Sequence, residues 1–202
     1  MTKITAIRQQ QKAKDRYSVY VDDKYSFSLS ESALISSGVS SGTEITAEQL
    51  EAYKRLSTED KLWGRALRYV AARLRSSHEV REYLRRKEAA PELIDQYIER
   101  LVGIGLLDDH RYAQVFVENR RMLKPSSKRK LQLELKQKRI PDAVINEVLA
   151  DDEGDDKSAL RDLVIKKRRQ TKYQDDMKLK QYLARQGFGF DDINRALKSD
   201  ED

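Results

Sequence analysis

The sequence predicts a mainly α-helical fold: three tandem three-helix repeats forming an elongated curved array, preceded by a small N-terminal β-hairpin region. Three observations carry this. Residues 17–30 alternate with a period of two, the chain from residue 46 onwards places apolar residues at helical spacing, and one apolar pattern recurs three times.

In the first segment Tyr17, Val19 and Val21 alternate with Ser18 and Tyr20. After a turn at Asp22-Asp23-Lys24, Tyr25, Phe27 and Leu29 alternate with Ser26, Ser28 and Ser30. Aromatic and β-branched residues gathered on one face of paired strands are a hairpin signature. Residues from Ile4 to Gln10 supply a third strand, because two strands alone are marginal in water. Ser36 to Thr43 reads as a loop. Helix begins after Thr46, which makes a capping box with Gln49 ahead of Leu50 and Tyr53.

The repeat consists of an N-cap residue, an apolar residue four on, another four later, a third ten later and a fourth four after that. Its copies are Ser76, Val80, Leu84, Ile94, Ile98; then Ser127, Leu131, Leu135, Ile145, Leu149; then Asp175, Leu179, Leu183, Ile193, Leu197. The copies lie roughly 50 residues apart, a supersecondary period. Pairs four apart share one helix face, and the longer step spans a turn. The turns hold fitting breakers: Ala90-Pro91, Ile140-Pro141, and Gly187 with Gly189. A further helical stretch precedes each copy, Leu62 to Leu74, Arg111 to Met122 and Ser158 to Arg169. The expected divisions are 1–57 for the hairpin and a connecting helix, then repeats at 58–104, 105–152 and 153–198. All the repeat columns lie beyond residue 75, so the helical array is expected to survive removal of residues 1–57.

Between the first two copies, Gly103 or Gly105 can end a helix in the left-handed conformation, Asp108 can cap the next, and Leu107 with Tyr112 can form a hydrophobic staple. The acidic stretch Asp151 to Asp156 reads as a solvated linker with carboxylates near a helix start.

Composition narrows the function classes. The chain has 202 residues, 39% hydrophobic and 37% charged, with a net charge of +6 and no cysteine. Disulfides and thiolate metal sites are excluded, and no cofactor is expected. No leader peptide and no membrane-spanning run is visible, so a cytoplasmic protein without membrane contact is expected. Glycines are few and form no phosphate-cradling loop. His78 and His110 lack a second ligand at zinc-helix spacing, and Asp108-Asp109 is explained by capping without general acid–base chemistry. The sequence therefore points away from an enzyme.

Two basic clusters stand out. The first holds Arg120, Arg121, Lys124, Lys128, Arg129, Lys130, Lys136, Lys138 and Arg139 against Glu134 alone. The second holds Arg161, Lys166, Lys167, Arg168, Arg169 and Lys172 against Asp162. Such density attracts phosphates without sequence preference, through counterion release. Lys128, Arg129 and Lys130 fall in a helix's first turn, where positive charge opposes the macrodipole, which points to a binding role. Tyr69, Tyr83 and Tyr182 sit beside repeat positions and are assigned to packing rather than base stacking.

Three patches resemble the RecX family of regulators: Ala66-Leu67-Arg68-Tyr69 through Arg75-Ser76-Ser77-His78-Glu79-Val80 to Leu84; Gly105-Leu106-Leu107-Asp108-Asp109 with Arg111-Tyr112-Ala113 and Phe116-Val117; and Leu183-Ala184-Arg185-Gln186-Gly187-Phe188 with Ile193 and Ala196-Leu197. The resemblance covers residues 58–198. Leu74 stands where many members have proline, which is expected to lengthen the first helix by a residue or two. The hairpin region has no counterpart in the family core that the residues identify.

The resemblance implies a monomer that binds RecA in filaments on single-stranded DNA and most often suppresses their ATPase, recombinase and coprotease activities in DNA repair and the SOS response. Weak direct DNA contact is compatible with it. The competing reading is a helix-turn-helix-like protein acting directly on DNA, but the cations spread over several units instead of concentrating in one recognition helix.

Overall fold

The computed structural model describes residues 2–152 and 154–198. The chain divides into two compact units, one of residues 1–73 with 83–101 and one of residues 74–82 with 102–202.

The first unit opens with strands β1 (Thr2–Gln9), β2 (Arg16–Val21) and β3 (Lys24–Ser30), followed by helix α1 (Glu31–Ser37), strand β4 (Glu44–Ile45) and helix α2 (Ala47–Ala71). The strands form one antiparallel sheet in the order β3-β2-β1-β4. The expected third strand is therefore β1, and β4 is an addition. Asp22 and Asp23 both take positive φ, 47° and 65°, the two-residue turn whose twist suits a hairpin. Ile4, Val19, Val21, Phe27 and Leu29 form a buried face with Ile45, covered by Leu50, Tyr53 and Leu56 of α2.

Tyr25 departs from the alternation: it is 55% exposed. Val19 pairs with Phe27 but Tyr20 pairs with Tyr25, so β3 carries an extra residue and the bulge turns Tyr25 away from the core. It meets the Tyr20 ring edge-on at 6.2 Å instead. The expected loop at 36–43 begins within α1, which buries no residue and is marked only by its ends. Ser30 caps the Ala33 N–H, and Gly38 at φ 66° closes the last turn.

The capping box at Thr46 and Gln49 is complete in both directions. Helix α2 then runs without a break across the expected 57/58 division. Its middle grips the sheet. The buried Ser57 hydroxyl donates to Ser28 O at 2.7 Å and accepts from Ser28 N. Asp60 accepts from Ser30 N at 2.8 Å and pairs with Arg16 at 2.9 Å. Helix α2 thus covers the sheet with residues before that division and, with residues after it, belongs to the same compact unit as residues 83–101. Helix α2 ends at Ala71, before Leu74, so Leu74 does not lengthen it.

Helix α3 (Ser77–Arg85) follows, then α4 (Pro91–Gly103), with Pro91 in the first turn where its missing N–H costs nothing. Tyr97 of α4 is buried and donates its hydroxyl to Glu59 O at 2.7 Å. Burial pushes its phenol up to about 12. Trp63 packs edge-on against Tyr97, with Arg100 over the indole at 4.1 Å.

The second unit contains α5 (Asp109–Leu123), α6 (Lys128–Gln137), α7 (Asp142–Asp151), α8 (Asp156–Arg168), a 3-10 turn (Thr171–Tyr173), α9 (Asp176–Arg185) and α10 (Phe190–Lys198). Helices α5–α7 and α8–α10 are three-helix units. Tyr112, Val117, Leu131, Leu135, Ile145 and Val148 make the core of the first, and Leu160, Leu163, Val164, Leu179, Leu183, Phe188, Ile193 and Leu197 make most of the second.

The apolar columns are buried in all three copies except at Leu149, which is half-buried while neighbouring Val148 is 3% exposed. All three N-caps form: Ser76 accepts from Glu79 N, Ser127 from Lys130 N and Asp175 from Lys178 N. Asp108 caps α5, Gly105 takes φ 72°, and Leu107 and Tyr112 are buried, as the staple requires. Pro141 is itself the N-cap residue of α7, one position before the first turn.

The structure adds a column that the apolar pattern does not reveal. Glu88, Arg139 and Gly187 all take positive φ just after the middle helix of a repeat. The next N–H in each case, from Ala89, Ile140 or Phe188, reaches back to Leu84, Leu135 or Leu183 O.

A paired substitution tests the alignment. Leu135 is fully buried while Leu133, two residues away on α6, is 54% exposed. In denaturant melts Leu135→Ala should cost about 2–5 kcal/mol and Leu133→Ala less than about 0.5 kcal/mol. Equal effects would contradict the assigned helix face.

Candidate functional site

The middle basic cluster does not act as one surface, because several of its cations hold helix ends together. Arg121 has a side chain only 15% exposed and pairs with Asp152 at 2.6 Å and Asp156 at 3.2 Å. Its guanidinium also donates to Ser126 O and Gly154 O. Burial works against its charge, but the two carboxylates outweigh burial and raise its proton affinity. The acidic stretch does place carboxylates at a helix start, as expected, but it is more than a solvated linker. Asp152 and Asp156 are the anchors of Arg121, and Asp155 caps α8 through Lys157 N and Ser158 N. Those backbone N–H groups hold the Asp155 carboxyl below its usual value.

Lys128 and Lys130 are also engaged. Lys128 Nζ donates to Leu149 O at 3.2 Å and Asp152 O at 2.8 Å, carbonyls at the end of α7. Lys130 Nζ donates to Arg185 O at 2.9 Å and Gln186 Oε1 at 2.8 Å, at the end of α9. Burial lowers the Lys130 pKa, and Lys124 and Arg120 push the same way against Glu134. The expectation that structure alone would not place lysines here is therefore corrected. Cations in the first turn of α6 oppose their own helix dipole but satisfy the carbonyl ends of two other helices.

Around them the joints repeat. The Lys128 N–H donates to both Asp156 oxygens, at 3.0 and 3.1 Å. The Ser77 N–H donates to Asp109 at 2.7 Å. In both places the residue after an N-cap serine, at the start of a repeat's middle helix, is capped by the first residue of the next repeat's leading helix. The sequence signal is the doublet, Asp108-Asp109 and Asp155-Asp156: the first aspartate caps its own helix and the second caps its neighbour. At the second joint Ser127 N and Oγ both donate to Gln186 O. Gly187 must be glycine there, since its φ is 88° and a Cβ would overlap the Ser127 hydroxyl and come within 2.9 Å of Lys130 Cβ.

The other candidates are placed as follows. Arg120 pairs with Glu134 at 2.8 Å and lies 5.1 Å over the Phe116 ring, with Lys138 Nζ 5.9 Å from the same ring. Lys136 pairs with Asp142 at 3.1 Å. Lys124, Arg129 and Arg139 are exposed. In the second cluster Lys167 lies over Tyr182 at 4.8 Å and Tyr173 at 5.3 Å. Arg168 donates to Tyr173 O and Gln174 O and pairs with Asp176. Lys166 and Arg169 are exposed. The cations pointing to solvent are thus Lys124, Arg129, Arg139, Arg161, Lys166 and Arg169, with Lys136 exposed beside its aspartate and Lys172 exposed beside the Tyr173 ring.

A third basic stretch was not singled out by the sequence reading. Lys61, Arg65, Arg68, Arg73, Arg75, Arg81, Arg85, Arg86 and Lys87 face only Glu79 and Glu82 over the same span. The apolar columns drew attention to this region as a core element and masked its charge. Tyr69 and Tyr83 stack face to face at 4.0 Å, as the packing assignment expects. Among the described residues, no helix is long and apolar enough to cross a membrane.

Comparison with known proteins fits these repeats. Residues 2–46 match the family model of the regulatory protein RecX N-terminal domain. Residues 63–101, 108–149 and 155–197 match the first, second and third three-helix domains of RecX. The hairpin region therefore does have a family counterpart, contrary to the expectation from its residues. The regulatory protein RecX of Halalkalibacterium halodurans is 34% identical over 153 residues, covering 74% of this chain and 58% of that protein. Its namesake in Lactobacillus johnsonii is 32% identical over 145 residues, covering 71% and 54%. The aligned part thus spans little more than half the length of these relatives. A crystal structure of a regulatory protein RecX superposes with a TM-score of 0.79 at 26% identity, covering 98% of this chain and 100% of that one. The crystal structure of RecX from Lactobacillus salivarius, at 24% identity and a TM-score of 0.60 over 70% of this chain and 96% of that one, shares the fold.

The division of labour among neighbouring cations is testable. Lys128→Ala and Lys130→Ala should each lower stability by about 1–2 kcal/mol, because helix-end carbonyls lose charged donors. Arg129→Ala, between them and exposed, should stay within about 0.5 kcal/mol of wild type. Urea melts of the three variants decide it, and three equal, small effects would contradict the assignment.

Proposed function

Since the chain belongs to the RecX family of regulatory proteins, we propose that it acts by binding and not by catalysis, on RecA filaments assembled on single-stranded DNA. Bound there, it restrains the filament's ATP hydrolysis, strand exchange and coprotease activity, in the cytoplasm and as a monomer, within DNA repair and the SOS response. The observation that carries the reading is family membership across the N-terminal domain and all three repeats. Exposed Lys124, Arg129, Lys136, Arg139, Lys166 and Arg169 support it, as cations available to a polyanionic assembly.

The competing reading, a base-specific helix-turn-helix protein, requires side chains at the start of a recognition helix to be free for base edges. In the first turn of α6 that role falls to Arg129 alone, because Lys128 and Lys130 are committed to backbone carbonyls. The proposal therefore gives the cations a backbone-attracting role without sequence preference.

Added to RecA, ATP and single-stranded DNA, the protein should slow ATP hydrolysis at ratios well below one per RecA. A variant carrying Lys124→Ala, Arg129→Ala, Arg139→Ala and Lys166→Ala should need more protein for the same effect and show a shallower salt dependence. Unchanged hydrolysis with wild-type protein at equimolar ratio would overturn the reading. A variant that matches wild type at every salt concentration would remove these cations from it.

A further inference from the structure

We infer that α2 carries a second, separate polyanion site: a ladder of cations that takes the phosphodiester backbone of DNA directly, without any filament. This deepens the reading above, since it names a DNA contact, but it stands on a surface to which that reading assigns nothing.

Lys54, Thr58, Lys61, Arg65 and Arg68 follow one another at steps of four, three, four and three along α2. That spacing places them on a single stripe of the helix. All of them are exposed, whereas Ser57, Leu62, Ala66 and Val70 of the same helix are buried. From Lys54 to Arg68 the stripe runs about 21 Å at the helical rise of about 1.5 Å per residue.

The middle of the stripe borders a groove of about 380 Å³ formed with the turn after α3. Thr58, Lys61 and Arg65 line it from α2, and Lys87, Ala89 and Leu93 line it from the turn after α3 and the first turn of α4. The acids nearby are few. Glu51 is taken by Lys54 at 2.8 Å, and Glu59 and Glu88 lie on the groove walls.

A structural role does not account for the stripe. The sheet and the other helices of this unit are held by the opposite faces of α2, through Ser57, Asp60 and the apolar residues. Apart from Lys54, which pairs with Glu51 on the same helix, the cations of this row raise the repulsion within α2. A DNA strand offers one phosphate per about 3.4 Å of helix axis, and Lys61, Arg65 and Arg68 stand about 6 and 4.5 Å apart along α2, with Lys54 about 10.5 Å before Lys61. Each rung therefore finds a phosphate in any register, so binding follows charge and not sequence. A groove whose walls carry three cations, Lys61, Arg65 and Lys87, beside two glutamates fits a backbone running over its cations better than a small phosphate held in place.

The test uses the full-length protein with no RecA present. A fluorescent oligothymidylate and a duplex of the same length are titrated, and anisotropy is followed from low to moderate salt. Wild type should bind both, with the single strand and the duplex separating which form the groove prefers. The triple variant Lys61→Ala, Arg65→Ala, Arg68→Ala should lose at least tenfold in affinity. Its log–log salt slope for the single strand should flatten by about two, the expectation for three lost phosphate contacts. The charge-keeping variant Lys61→Arg, Arg65→Lys, Arg68→Lys should bind like wild type, and circular dichroism should be unchanged in both.

Wild-type affinity and slope in the triple variant would overturn the inference, as would failure of the wild type to bind either oligonucleotide at low salt. Competition by poly-glutamate as effective as by oligonucleotide would also overturn it, marking a general acidic-surface site. Filament inhibition is read separately. A triple variant that still slows RecA while losing free DNA supports this site and leaves the proposed function standing, whereas intact DNA binding without any effect on RecA removes that function alone.

Discussion

Every α-helix begins with N–H groups that have no partner inside the helix, and in this protein the middle helices of the first two repeats begin in buried places. Ser76, Ser126 and Ser127 are all 2% exposed or less. Water cannot satisfy the N–H groups there, and an unmet buried donor costs about 1–3 kcal/mol. The second aspartate of each Asp-Asp doublet meets the need. Asp109 reaches the Ser77 N–H and Asp156 reaches the Lys128 N–H, each from the first residue of the following leading helix. A carboxylate at a helix start also faces that helix's positive end, so a single charge serves two helix dipoles. The repeats can be short because their ends complete one another.

The same constraint decides what the cations do. Asp152 and Asp156 draw in Arg121, and the carbonyl ends of α7 and α9 draw in Lys128 and Lys130. Charge that looks like one binding surface in sequence is sorted by the fold into cations that close joints and cations that face solvent. The exposed stripe on α2 is the counterpart: that helix settles its buried contacts through Ser57, Asp60 and its apolar face, which leaves Lys61, Arg65 and Arg68 uncommitted to the core.

Much of the architecture was legible because it rests on periodicity and on residues with one strong local preference. The alternation of Val19, Val21, Phe27 and Leu29 placed the hairpin, and the recurring N-cap and apolar columns placed the repeats. What was not legible depends on partners distant in sequence. The bulge that frees Tyr25 comes from strand pairing, and α1 has no buried face to leave a pattern. Asp152 read as linker because Arg121, its partner, lies in an earlier helix, and Lys128 read as a free cation because its carbonyl acceptors come after it. The left-handed column of Glu88, Arg139 and Gly187 escaped notice because only one of its members is glycine. For the site this matters most: the cations were correctly found as a group, and their roles depended on neighbours that spacing does not reveal.

The claim that acidic residues of one repeat complete the repeat before it is tested most directly by a double-mutant cycle at the second joint, with Arg121→Met, Asp156→Ala and the double variant compared in denaturant melts. Asp156 contacts both the Arg121 guanidinium and the Lys128 N–H. The account predicts that each single change destabilises and that the pair is non-additive, with a coupling of about 1–3 kcal/mol. It also predicts that the Lys128 amide loses its protection from hydrogen exchange in Asp156→Ala but keeps it in Arg121→Met. Additive changes below about 0.5 kcal/mol, with the Lys128 amide equally protected in both variants, would contradict it.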